Sequence, residues 1–257
     1  MRHSLIAPPD ARIAPEVSKG GRRRDLEIFE AASPDWWDPA GPLAGLHALN
    51  PFRSKYFREW LEKDGARRVL ELGCGGGLLT AKLEAGPWRL VAQDVLEGPL
   101  KAARPHLRQA TLIRSDAARL PFPDSSFDAV LSSEFLEHAR DLRAVVAESA
   151  RVLRPGGLFL YETISRTFTS FVMGKVVLEW IFRYVPPGTH RFRDFIRPAE
   201  LHQIMSESRI RNLEVLGVVP ERGVLRAILR KTSHPFHFDP DRLFGIYVGC
   251  GRLERTA

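Results

Sequence analysis

From Arg68 onward, short apolar runs alternate with stretches of helical periodicity. The runs are RVLELG, RLVAQD, TLIRSD, FDAVLSS and GGLFLYET, and the helical stretches fall at 78–85, 96–107 and 142–153. Short runs with little polar alternation are the pattern of strands buried on both faces. Strand–helix–strand order predicts an α/β fold with a mostly parallel sheet covered on both sides. RPGG closes the 142–153 helix with a stop and a turn. Ahead of this region, 26–61 has helical, aromatic character (Leu26, Phe29, Trp36, Trp37, Leu43, Leu46, Leu49, Tyr56, Phe57, Trp60). Pro34, Pro39, Pro42 and Pro51 are expected to cut it into short pieces, giving an N-terminal helical cap. Beyond the sheet motifs, FTSFVMGKVVLEWIFRYV (168–185) reads as a long apolar helix with Lys175, Glu179 and Arg183 on one narrow stripe. RPAELHQIMSES is a further helix with Pro198 at its start. Two late strands are expected at 212–219 and 243–252.

The length of 257 residues, with 44% hydrophobic and 27% charged residues, suits one compact domain with tails. Residues 1–27 hold prolines, glycines and the run Arg22-Arg23-Arg24 without an apolar period. They read as a disordered basic tail before a single domain at 28–257. No run reaches the roughly 20 apolar residues of a membrane span, the N-terminus has no secretory apolar region, and two cysteines exclude a disulfide framework. The expected location is therefore cytoplasmic. The net charge of +7 changes the picture most, because 31 of the 38 basic residues are arginines. Nucleic acid, an anionic membrane surface, an acidic ligand or plain base composition would each account for it. Nucleic acid is disfavoured because the chain lacks stacking-aromatic and base-reading motifs.

Candidate chemistry gathers at the ends of the first strands. Val69-Leu70-Glu71-Leu72-Gly73-Cys74-Gly75-Gly76-Gly77 runs a buried strand into a glycine turn where the backbone can approach a ligand. G-x-G-x-x-G spacing is absent, since position 78 is Leu. Glu71 lies just before the first glycine, where its charge suits a cationic amino group better than a pyrophosphate. Asp94 closes the second run about 20 residues later, the spacing of a carboxylate that binds ribose hydroxyls. Asp116, followed by Ala117, closes the third, within reach of an adenine amino group. Singly, each acid is as well explained as a helix cap. Together they mark the carboxyl ends of parallel strands, where open sheets bind ligands.

This arrangement over about 67–157 resembles class I S-adenosylmethionine-dependent methyltransferases, which implies a seven-stranded sheet with its last strand antiparallel. Further segments narrow the resemblance. They are Trp36-Trp37-Asp38-Pro39, LHALNPFR (46–53), SEFLEH (133–138), ETISRT (162–167), VPPGTH (185–190) and FIRPAEL (195–201). Over roughly 29–217 the chain resembles the ubiquinone-biosynthesis O-methyltransferase family. The resemblance implies methylation of a phenolic hydroxyl on a polyprenylated ring, with cofactor ligands at Arg53, Gly73, Asp94 and Ser133. Gly75 belongs to the same turn. Arg53 suits the cofactor carboxylate.

Glu134, Glu137 and His138, at i, i+3 and i+4 on an expected helical turn, would share one face after the fourth strand. Two carboxylates and an imidazole can hold a divalent cation, Mg²⁺ first, with Zn²⁺ or Mn²⁺ as alternatives. Such a cation would acidify a catechol hydroxyl. The resemblance supports that role. The rival reading makes His138 the direct base, with both acids complementing a helix N-terminus. A lipid-tailed substrate makes 168–185 a candidate lid at an anionic membrane surface, which places the enzyme peripherally at the inner face, beside other quinone-synthesis enzymes as further partners. Two departures stand out. Ser165 occupies a position where the family has Asn, and a longer basic stretch at 221–242 replaces a short turn. Methylation of another small phenol is the alternative these departures leave open.

Overall fold

The computed structural model describes residues 24–171, 191–221 and 236–255. Its strands are β1 (Arg68–Leu72), β2 (Arg89–Asp94), β3 (Thr111–Arg114), β4 (Phe127–Ser133), β5 (Leu153–Ile164), β6 (Ile210–Pro220), β7 (Phe236–Asp239) and β8 (Ile246–Leu253). They form one sheet in the order β3-β2-β1-β4-β5-β8-β6-β7. The first five strands are mutually parallel, and β8 runs antiparallel to both β5 and β6. Helices α1 (Arg24–Ala31) and α2 (Ala44–Lys63) make the cap. Helices α3 (Leu78–Leu83), α4 (Glu97–Ala103) and α5 (Leu142–Val152) connect the parallel strands. A short α6 (Phe168–Ser170) and α7 (Pro198–Glu207) lie between β5 and β6.

Period-2 alternation along the strands sorts the core into two layers. Leu70, Leu72, Val130, Phe159 and Tyr161 pack with Val145, Val146, Leu201 and Met205 of α5 and α7. Val69, Ala129, Leu131, Leu158 and Leu160 pack with Phe57, Leu61, Leu79 and Leu83 of α2 and α3. Asp141 caps α5 by accepting from the Ala144 N–H at 3.0 Å.

Four expectations are corrected. The sheet has eight strands among the described residues rather than seven. The extra one, β7, comes from the divergent stretch and pairs antiparallel with β6. Alternating Phe236 and Phe238 explain it, since Phe238 lies 4.2 Å from Phe52 and 5.2 Å from Tyr56, centroid to centroid, closing an aromatic cluster over α2. Pro51 does not break the cap, because α2 runs through it for 20 residues. Tyr56, Phe57 and Leu61 are buried, and at about 1.5–3 kcal/mol each they outweigh the roughly 3 kcal/mol penalty of an interior proline. Residues 24–27, expected in the tail, form the first turn of α1. Helix α4 stops at Ala103 and passes into a 3-10 turn, Arg104–His106, with Pro105 inside it. The rest of the expected tail, residues 172–185 of the expected apolar helix and 222–235 lie outside the described residues. No helix among the described residues is long and apolar enough to cross a membrane.

Candidate active site

The glycine turn after β1 is left-handed at Gly73, Gly75 and Gly77, and the first two show why. Gly73 and Gly75 have φ of +63° and +53°, where a side chain is strained. A Cβ on Gly73 would sit 2.3 Å from the Phe135 ring, and one on Gly75 would sit 2.3 Å from Trp36. The cap therefore closes directly on the turn. Trp37 donates from Nε1 to the Gly76 carbonyl at 2.8 Å and stacks on His106 at 3.9 Å, 14° from parallel.

The expected cofactor residues converge at this end of the sheet. Glu71 is buried and accepts from Thr80 Oγ1 at 2.7 Å. Burial pushes its carboxyl up to about 7, against the lowering effects of Thr80 and Arg53. Asp94 Oδ2 accepts from the Gly75 N–H at 2.9 Å and Oδ1 from the Leu96 N–H at 2.8 Å. It thus braces the turn, and a carboxylate's remaining lone pairs can still accept ligand hydroxyls. Burial raises the Asp94 carboxyl above its ordinary range. Arg53 is buried, anchored by the Leu46 carbonyl and Asn50 Oδ1, both at 3.3 Å, and paired with Glu162 at 3.5 Å. Ser133, at the end of β4, donates to the same Glu162 oxygen. Asp116 stands apart. Strand β3 ends at Arg114, and Asp116 is exposed at the rim, accepting from the Ala118 N–H at 2.9 Å, while Ala117 is buried. The thiol of Cys74 is enclosed, and burial holds it well above its usual range, which disfavours the thiolate.

Glu134, Glu137 and His138 do not share a helical face. Glu134 takes a left-handed φ of +52°, and a 3-10 turn spans Leu136–His138. The left-handed residue interrupts the regular turn, and His138 goes a different way from the two acids. Glu137 turns into the sheet and accepts from Thr163 Oγ1 at 2.6 Å. His138 turns toward the cap, where its Nδ1 lies 3.1 Å from Asp25 Oδ2 and Phe29 meets its ring edge-on at 5.1 Å. Glu134 and Glu137 each bury an Oε1 without a hydrogen-bond partner, a feature that suits a cation. However, no group of three His, Cys, Asp or Glu side chains among the described residues is placed to hold a metal ion. The expected ligand set is not assembled in this geometry. Burial, with Glu137 and Glu162 adding their charges, pushes the Glu134 carboxyl well above its ordinary range.

Two participants escaped the sequence reading. Asp25 lay in a segment read as tail. Glu162 stood inside a recognised motif without a role, although an acid ending an apolar strand is the same signal that marked Glu71.

The comparisons agree with this geometry. A methyltransferase-domain family model matches residues 70–161. The ubiquinone biosynthesis O-methyltransferase of Xylella fastidiosa strain M23 is 38% identical over 210 residues, 79% of this chain and 84% of the relative. The enzyme of the same name from Xanthomonas oryzae pv. oryzae strain PXO99A is 37% identical, covering 80% and 87%. Among solved structures, a methyltransferase of Thermotoga maritima superposes with a TM-score of 0.62 at 19% identity, over 90% of this chain and all of that one. One from Aquifex aeolicus gives 0.57 at 15% identity, over 87% and 98%. At those identities the structural likeness speaks for the fold alone. Fold and site together define a class I S-adenosylmethionine-dependent methyltransferase. At this identity and coverage, the chain belongs to the ubiquinone biosynthesis O-methyltransferase family.

Proposed function

We propose that the enzyme methylates a phenolic or catechol hydroxyl of a polyprenylated ubiquinone precursor, with His138 as the base. The observation that carries the chemistry is the Asp25–His138 contact of 3.1 Å, enclosed by the cap beside the glycine turn. A carboxylate on Nδ1 favours the tautomer whose lone pair is on Nε2, the form a proton acceptor needs. Bound at the strand ends, S-adenosylmethionine supplies an electrophilic methyl on sulfonium sulfur. Arg53 holds its carboxylate, Glu71 its amino group, Asp94 the ribose hydroxyls, and Asp116 with Ala117 the adenine, while Gly73, Gly75 and Ser133 line the approach. His138 would take the phenol proton. Bound S-adenosylmethionine would supply the methyl, its S–C bond breaking as the O–C bond forms and the neutral thioether, S-adenosylhomocysteine, leaving. Positioning of the two reactants would supply most of the rate.

Glu134, Glu137 and His138 remain the residues a divalent cation would have to use. Their separate engagements leave that reading to the chelator arm of the test, and no step here depends on it. The identity of the ring rests on the family relatives, with another small phenol as the alternative. The lipid tail of the substrate favours docking at an anionic membrane surface through 168–185. The first residue of that segment, Phe168, is 79% exposed.

The test is methyl transfer from S-adenosylmethionine to a short-chain demethylubiquinol, with and without excess EDTA. Turnover, and its loss in His138→Ala, is expected, as is cosedimentation with anionic liposomes that depends on 168–185. Absence of transfer to any catechol would overturn the reading, and loss of activity in EDTA would restore the cation.

A further inference from the structure

The opposite end of the sheet carries a second feature. A cavity of about 420 Å³ opens where β5 begins and β8 ends, lined by Gly156, Arg211, Arg252, Leu253, Glu254 and Arg255. Strand β5 runs parallel to β1, so this is the end away from the glycine turn. Arg211 and Arg252 are direct partners in the antiparallel β6–β8 register. Like charges opposite one another across a ladder are unfavourable unless something offsets them.

Arg252 has a partial offset, since its guanidinium reaches Asp64 Oδ1 at 2.8 Å and donates to the Gly156 carbonyl at 2.7 Å. Neither Arg211 nor Arg255 is paired with an acid among the described residues, and Glu254 forms no ion pair with any of the three arginines. Arg255 lies across Gly156, whose φ of +82° leaves the backbone bare. A Cβ there would come within 3.3 Å of Arg255 Nε.

We propose that this cavity binds a phosphorylated small molecule. Two guanidinium forks without an acid partner, Arg211 and Arg255, beside the partly engaged Arg252, suit a tetrahedral, multiply charged oxyanion better than a planar carboxylate, which one fork already satisfies. The volume exceeds that of a bare phosphate and falls in the range of small-molecule pockets, about 300–1,000 Å³. Leu253 offers an apolar contact for an organic body. A lipid headgroup is the other source of the same chemistry. It fits less well, because a membrane at this end would lie on the side away from the glycine turn. The inference does not depend on the methyl-transfer reading.

The test is calorimetric titration of the full chain with inorganic pyrophosphate at low salt, beside cosedimentation with phosphatidylglycerol vesicles. Saturable binding is expected, weakened by at least about tenfold in Arg211→Ala and again in Arg255→Ala, since each loses charged hydrogen bonds. Both side chains are exposed, so thermal midpoints and S-adenosylmethionine affinity should stay unchanged, and Arg108→Ala, on a distant exposed loop, should bind as the parent does. No saturable pyrophosphate binding would overturn the proposal, as would binding indifferent to both substitutions. Vesicle binding that requires Arg211 and Arg255 without pyrophosphate binding would assign the patch to lipid and likewise overturn it.

Discussion

The two ends of the sheet use charge in opposite ways. At the carboxyl ends of the parallel strands, Glu71, Asp94, Glu137 and Glu162 are buried around one buried cation, Arg53. At the other end, Arg68, Arg154 and Arg252 gather on two acids, Asp64 and Asp128. Burial pushes the Glu134 and Glu162 carboxyls up, and neighbouring acids add to it. Burial opposes ionisation of Asp128, yet the Arg67 and Arg68 N–H groups, each at 2.8 Å, and the Arg154 and Arg68 guanidiniums keep its carboxyl below the usual range. The first arrangement is poorly satisfied in itself and suited to a cationic ligand. The second pairs most of its charges internally, although Asp64 Oδ2 is buried without a hydrogen-bond partner, and it suits stability. Helices that follow parallel strands begin at the carboxyl ends, so their positive N-termini offset part of the acid excess there. The sharpest consequence is a separation of phenotypes: substitutions at the first end should move S-adenosylmethionine binding and rate, and those at Asp64 and Asp128 should move stability.

Gly75→Ala should have the largest effect. A Cβ at φ +53° and 2.3 Å from Trp36 combines left-handed strain with overpacking, together about 3 kcal/mol. Calorimetric melting should show that loss, and cofactor titration should show affinity lost with it as Trp36 is pushed off the turn. Parent-like affinity would mean that the cap does not close the site.

Asp25→Asn should lower kcat by about 10–100-fold, less than the roughly 10²–10⁴-fold of a general base because His138 itself is kept, with little change in the KM for S-adenosylmethionine. Equal loss in kcat and in cofactor affinity would instead make Asp25 a strut of the cap. This residue shows where sequence reading stopped. The cofactor half was legible because Glu71, the glycine turn and Asp94 carry their chemistry in short local patterns. The Asp25–His138 contact joins residues 113 apart, and the Arg53–Glu162 pair joins residues 109 apart. Only tertiary packing creates such contacts. A regular helical turn was the natural expectation for SEFLEH, because nothing in its spacing announces a left-handed Glu134. Strand β7 was partly legible, since Phe236 and Phe238 alternate with polar neighbours, but an edge strand of four residues has little pattern to read. The course of α2 through Pro51 depended on a core that local propensity cannot weigh.

Asp128→Asn tests the other end. The substitution removes the charge that gathers two backbone N–H groups and two guanidiniums, and it should destabilise the fold by about 1–3 kcal/mol without altering kcat or KM. Because the folded-state carboxyl sits below its unfolded value, its contribution is present above the ordinary carboxylate range and is lost as pH falls through it. The parent should therefore lose more stability than the variant on acidification, read as converging melting curves. An altered KM would break the separation of the two ends.

The smallest effect expected is the one most diagnostic of the acidic end. Burial holds the Glu71 carboxyl at about 7, while the same group in an unfolded chain titrates near its ordinary value of 4.5. Between those values the folded protein keeps a proton that the unfolded chain releases, so the contribution of Glu71 to stability falls as pH rises through that window. A cationic amino group bound against Glu71 favours the carboxylate and drives that proton off. Affinity for S-adenosylmethionine should then rise about tenfold from pH 6 to pH 8, the change in ionised fraction for a group titrating at 7. Titrations in buffers of different ionisation enthalpy should show a proton released on binding at pH 6 and little release at pH 8. In Glu71→Gln both the slope and the proton should vanish. A parent affinity flat across this range would place the amino group elsewhere, and the excess of acid at this end would then have to serve the phenol side of the site.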